Sequence, residues 1–99
     1  MKTAIYVNEK SNHNEQLTSL KDYANKHGYE NIEIYADYGY SANDLNRPDL
    51  NRLIEDIKFG RINTILIDGY SRLTRNVSDL NLLFNTVFTP NKVNVISIN

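Results

Sequence analysis

Two arginines three residues apart, Arg72 and Arg75, stand in the segment Ser71-Arg72-Leu73-Thr74-Arg75-Asn76, between an apolar run and an amphipathic stretch. At a helix entrance that spacing sets both guanidiniums on one side of the turn. There they and free backbone N–H groups can hold one anion. The plainer alternative is a pair of surface arginines meeting acidic neighbours. Arg47 precedes Pro48 and therefore falls at the N-cap of another helix, where Ser, Asp or Asn is favoured. A local rule broken in a loop points to function; the competing reading has Asn46 or Asp44 as the cap and Arg47 solvated. Three guanidiniums on one edge would suit a phosphodiester, because they neutralise charge building on five-coordinate phosphorus. A nucleophile is still needed, and Ser11 is the serine of the first loop. His13 in the same loop is a base or ligand only in principle, since a single exposed histidine is usually neither. Asp37 and Asp68 end two strands; carboxylates so placed can bind Mg²⁺, and more often close a turn or cap a helix. No Gly-rich phosphate loop is present, which argues against a bound nucleotide.

The elements that must position these residues follow from periodicity. Residues 3–7 form a β-rich run, followed by a polar loop over 8–14. Leu17, Leu20, Tyr23, Ala24 and His27 recur at helical spacing, and Gly28 is placed to stop that helix. Residues 31–36 alternate as a half-exposed strand, and 37–44 are rich in turn formers. Leu50, Leu53, Ile54 and Ile57 mark a second helix that starts at Pro48 and ends at Gly60. Residues 64–67 form an apolar strand buried on both faces. Leu80, Leu83, Phe84 and Val87 mark a third helix with Ser78 as a candidate N-cap, and residues 93–98 a last strand. The order β-α-β-α-β-α-β predicts a three-layer α/β domain, a mostly parallel four-stranded sheet flanked by helices. Its functional loops should gather beyond the carboxyl ends of the strands, at 8–14, 37–47 and 68–77.

Composition bounds the rest. The 99 residues suit one domain, with no cysteine for a disulfide, a thiolate metal site or a thiol nucleophile. No apolar run approaches the ~18–20 residues of a membrane span, and the N-terminus lacks a secretory signal, so a cytoplasmic protein without a membrane partner is expected. The net charge is −1, but all five arginines fall within residues 47–75. Elsewhere lysine is the basic residue, which makes the arginine cluster mildly informative.

Four segments in this order resemble one family. They are Asp37-Tyr38-Gly39-Tyr40-Ser41-Ala42; Arg47-Pro48-Asp49-Leu50-Asn51-Arg52-Leu53-Ile54; Gly60-Arg61-Ile62-Asn63-Thr64-Ile65-Leu66-Ile67; and Ser71-Arg72-Leu73-Thr74-Arg75-Asn76. Together with a first helix over residues 16–28, they resemble the catalytic domain of serine recombinases, the resolvases, invertases and large serine integrases of mobile elements. The resemblance implies a resolvase-like catalytic core in which a serine attacks the scissile DNA phosphodiester. A 5′-phosphoserine link forms, the 3′-hydroxyl leaves, strands exchange within a tetramer, and the link is reversed. It implies no metal and no nucleotide cofactor, with DNA and other recombinase subunits, identical or different, as partners. By motif, Arg47, Arg72 and Arg75 fall on the phosphate-gripping arginines, Asp37 on the acidic residue after the second strand, and Ser41 on the loop serine; Gln16 and Asn8 are supporting residues.

The chain departs from the family pattern after the first strand. The family has Tyr-x-Arg-Val-Ser-Thr there; this chain has Tyr6-Val7-Asn8-Glu9-Lys10-Ser11. By direct counting Asn8 stands for the arginine and Lys10 for the serine, with Ser11 one place later. Ser71 precedes Arg72 where an aspartate is frequent, and Glu9 adds negative charge beside the anion pocket. Either Ser11 attacks from a rebuilt loop, or the domain does not cut DNA and acts by protein–protein interaction or regulation, its seven tyrosines offering a face for a partner. A single catalytic domain over residues 1–99, without a DNA-reading domain, is expected to bind DNA weakly, because nonspecific affinity scales with the number of phosphate contacts.

Overall fold

The computed structural model describes residues 2–9 and 15–99; Lys10, Ser11 and His13 lie outside the described residues. In chain order the elements are β1 (Lys2–Glu9), α1 (Glu15–Lys26), β2 (Ile32–Tyr38), α2 (Pro48–Lys58), β3 (Ile62–Ile67), a 3₁₀ turn (Tyr70–Arg72), α3 (Val77–Leu83) running into a π-helical turn (Phe84–Phe88), and β4 (Asn94–Ser97). The four strands are parallel in the order β2-β1-β3-β4. The chain steps one way from β1 to β2, then back across β1 to β3 and on to β4. With right-handed crossovers, that reversal sends α1 to one face and α2 and α3 to the other. It also leaves a crevice beyond the carboxyl ends of β1 and β3, where such sheets bind ligands.

The core follows the period of two along the strands. Ala4, Tyr6, Tyr35, Ile65 and Ile67 face α2 and α3, where Leu50, Leu53, Ile57, Leu83, Val87 and Phe88 close over them. Ile5, Val7 and Leu66 face α1 and meet Leu20 and Ala24. β1 is thus covered on both sides, which is why its middle is continuously apolar. Gly28 and Gly60 end α1 and α2 with positive φ, 74° at each, a conformation glycine adopts without a Cβ clash.

The architecture agrees with the expected three-layer sheet, and several boundaries move. Asn8 and Glu9, expected in a loop, are the last residues of β1 and pair with Asp37 and Tyr38 of β2. Polar side chains hid the extension, because at this end the strand leaves the apolar core and enters the crevice. β3 starts at Ile62, two residues before the expected 64, and β4 is confined to Asn94–Ser97. The cap of α3 is Asn76, not Ser78: its Oδ1 accepts from the amides of Ser78 (2.8 Å) and Asp79 (3.2 Å).

Candidate functional site

The crevice holds a cavity of about 630 Å³ lined by Asn8, Glu9, Glu15, Gln16, Tyr40, Ser41, Ala42, Asn43, Ser71, Arg72 and Arg75. Its walls come from the end of β1, the start of α1, the loop after β2 and the loop after β3. The two loops are tied where the Arg75 amide donates to the Ala42 carbonyl at 3.1 Å. Arg72 is held from below, its Nε donating to the Asp68 carbonyl at 3.2 Å. Ser41 is exposed in the cavity wall, and its Oγ accepts from the Asn43 amide at 3.1 Å.

Behind this wall lies a buried polar column. Arg47 is fully enclosed, at 0% exposure. Its Nε donates to the Asp44 carbonyl (2.9 Å), its Nη1 to the Tyr6 hydroxyl (2.9 Å) and the Arg72 carbonyl (2.9 Å), and its Nη2 to the Leu73 carbonyl. Tyr6 in turn donates to Asp37 Oδ2 at 2.8 Å. Burial, and then the Asp37 hydrogen bond, push the Tyr6 phenol far above its ordinary value, so it remains a neutral donor. Asp37 also accepts from the amides of Asp49 (2.9 Å) and Leu50 (3.0 Å). It therefore satisfies the orphan amides at the start of α2, which Arg47, the formal N-cap residue, leaves without a side-chain bond. The acidic residue in the second strand is a helix cap supplied from a different element.

A second polar join fixes the end of β1. Gln16, buried at the start of α1, accepts from the Asn8 amide through Oε1 (3.2 Å) and donates to the Asn8 carbonyl through Nε2 (2.9 Å), pairing with the strand as another strand would. Glu9 Oε1 accepts the Gln16 amide at 3.0 Å. With its amide turned to match donors to acceptors, Asn8 donates to the carbonyls of Asp37 (3.3 Å) and Tyr40 (3.2 Å) and accepts from Arg47 Nη1 (3.1 Å). Glu9 Oε2 is buried with no hydrogen-bond partner among the described residues.

The arginine cluster of the sequence separates in space. Arg72 and Arg75 line the cavity. Arg47 comes to the same sheet edge but stands behind the wall, its donors directed to carbonyls, to Tyr6 and to the turned Asn8 amide, so two of the three arginines expected at this edge line the cavity. Arg52 stacks over Tyr35, 4.0 Å from the ring centroid, and meets Glu33 and Asp49. Arg61 pairs with Asp56 at 3.1 Å. These two are structural. Ser41, Asn8 and Gln16 line the cavity as well; Asp37 does not. Ser11 lies outside the described residues. Tyr6 went unassigned in sequence, although a tyrosine facing a buried strand surface needs a partner for its hydroxyl. Of two further cavity residues, Tyr40 stood in the family-like segment 37–42 without an assigned role, and Asn43 carried no sequence signal beyond its place in a turn.

Fold and cavity define a class: a doubly wound parallel α/β domain with two arginines at its switch point. Comparison with known proteins narrows it. The family model described as the resolvase N-terminal domain matches residues 6–99. The N-terminal catalytic domain of TP901-1 integrase is 35% identical, with 100% of this chain aligned to 79% of that one at a TM-score of 0.92. The C-terminal catalytic domain of ISC1926 TnpA, an IS607-like serine recombinase, shares the fold at 22% identity, 100% and 68% coverage and a TM-score of 0.86. A serine recombinase from Sulfolobus solfataricus does so at 16% identity, 100% and 71% coverage and a TM-score of 0.75. No curated protein sequence matches the chain. The chain belongs to the resolvase N-terminal domain family of serine recombinases, and its function is site-specific DNA recombination. The family acts on DNA and oligomerises. Among the described residues no helix is long and apolar enough to cross a membrane.

Proposed function

We propose that the cavity seats one backbone phosphate of DNA between Arg72 and Arg75, and that Ser11 supplies the hydroxyl that attacks it. A bond forms from Ser11 Oγ to phosphorus, the 3′-oxygen leaves and takes a proton, and a 5′-phosphoserine link remains. A 3′-hydroxyl later attacks that link and restores a diester, so no energy-rich cofactor is consumed. Guanidiniums hold phosphate oxygens bidentately and oppose the charge that grows at phosphorus. Ser41 offers its hydroxyl proton to a phosphate oxygen. Asn8 and Gln16 fix the end of β1, the anchor from which Ser11 departs. Residues 1–99 act as one catalytic domain, on DNA in the cytoplasm, with identical or different recombinase subunits as partners. The observation that carries this reading is the convergence of Arg72, Arg75 and Ser41 with the end of β1 on one cavity.

A nicked duplex that traps the cleaved state tests it. The protein should form a covalent DNA adduct that is absent in Ser11→Ala. In Arg72→Ala the rate should fall about 10²–10³-fold, the loss seen when one transition-state donor is removed. DNA binding without an adduct would favour the second reading, a domain that has lost cleavage and works through a partner recombinase. Glu9 supports that alternative: its carboxylate shares the cavity with the arginines, where it opposes an incoming phosphate.

A further inference from the structure

We infer that Arg47 is a positioning residue: its enclosed guanidinium sets the backbone that carries Arg72 and Arg75, and does not touch the bound group. The inference rests on the phosphate reading of the cavity only for its functional arm. Arg47 is among the largest fully buried side chains of the protein. Its donors reach three separate stretches: Tyr6 and the turned Asn8 amide on β1, the Asp44 carbonyl after β2, and the carbonyls of Arg72 and Leu73 after β3. The Arg72 bond is made to the main chain of a cavity arginine, so the two guanidiniums are linked through one peptide unit. Leu73 and Thr74 direct their amides back to the Tyr70 carbonyl (3.0 and 3.2 Å), and the Arg75 amide goes to Ala42 (3.1 Å). The carbonyls on one side of this turn therefore point at Arg47 while the amides close the turn and dock it on the neighbouring loop.

The chemistry of the group explains the choice of residue. A guanidinium presents five N–H donors in a rigid plane, which suits several carbonyls arranged around it. A lysine presents three donors from one point on a flexible stem and cannot reach the same set. No carboxylate accepts directly from Arg47 among the hydrogen bonds of the described residues. Asp37 is reached only through the Tyr6 hydroxyl, which accepts from Arg47 and donates to Asp37. The charge is balanced by carbonyl dipoles and one relayed carboxylate, and this leaves the guanidinium committed to the scaffold.

The test compares Arg47→Lys, Arg72→Ala and the double variant, using backbone amide exchange and titration with inorganic phosphate and a short duplex. In Arg47→Lys the amides of Leu73, Thr74 and Arg75 should lose protection by about tenfold or more, the scale set by a lost hydrogen bond to a charged group. Phosphate and duplex affinity should fall as in Arg72→Ala, and the double variant should bind no more weakly than the weaker single variant. Unchanged protection at residues 73–75 together with additive losses in the double variant would overturn the inference, because those are the marks of direct contact. If the parent chain binds no phosphate, the phosphate reading fails on its own and amide exchange still decides the role of Arg47. Should Arg47→Lys not fold, Tyr6→Phe keeps the arginine and removes one acceptor. It should produce the same exchange pattern at smaller amplitude, and unchanged exchange there would count against positioning.

Discussion

At the scale of single residues, the polar column behind the cavity concentrates free energy that sequence hides. Tyr6 satisfies Asp37 on one side and Arg47 on the other. Tyr6→Phe should cost about 1–3 kcal/mol, the penalty for stranding buried polar groups, read as a lower urea midpoint. The same residue sets a pH response. Because burial and Asp37 hold its folded-state pKa above the ordinary 10.0, the unfolded chain releases the proton first as pH rises. The stabilisation is complete below 10.0 and is lost progressively above it. Tyr35, raised by burial and then by its bond to Asp56, adds to the same alkaline loss. Urea midpoints measured at neutral pH and one unit above 10.0 should diverge, and by less in Tyr6→Phe. Of this column, the sequence showed Arg47 as an off-type N-cap residue and Asp37 as a strand-end carboxylate able to cap a helix. It did not show the burial, since an arginine before Pro48 looks the same whether it faces water or three carbonyls.

At the scale of elements, the joins are made between segments distant in sequence, and this is where local reasoning ran out. The start of α2 was legible from Pro48 and from the stripe Leu50, Leu53, Ile54, Ile57, but its cap comes from Asp37 on β2, twelve and thirteen positions before the amides it serves. Asp37→Ala should cost about 0.5–2 kcal/mol for the cap, and more in so far as Tyr6 loses its acceptor. Asp37→Asn, which keeps an acceptor, should recover part of that in the same urea assay. The outer edge of β2 is managed the same way. Asp49 accepts the Ala36 amide at 2.8 Å and Arg52 donates to the Ile34 carbonyl at 2.9 Å, so side chains of α2 occupy edge groups that a foreign strand would use. Replacing both with alanine should raise the apparent mass in concentration-dependent light scattering; an unchanged mass would show that the edge needs no such cover. The π-helical turn after α3 was not legible, because its residues Phe84, Val87 and Phe88 keep the apolar spacing of an ordinary helix.

At the scale of the whole molecule, alternating strand and helix patterns were enough to predict the parallel three-layer sheet, because each strand must be covered and each crossover has one favoured hand. The order β2-β1-β3-β4 then places the crevice between β1 and β3, and the loops that meet there carry Arg72, Arg75 and Ser41. Clustering in sequence overstated clustering in space: Arg52 and Arg61 lie with acidic partners away from the cavity. The most direct measurement of the phosphate seat is duplex affinity as a function of salt for the parent chain, Arg72→Ala and Arg75→Ala. Each substitution should weaken binding and reduce the slope of log affinity against log salt by about 0.9, the value for one lost phosphate contact. Affinity and slope that are the same in all three proteins would contradict the account.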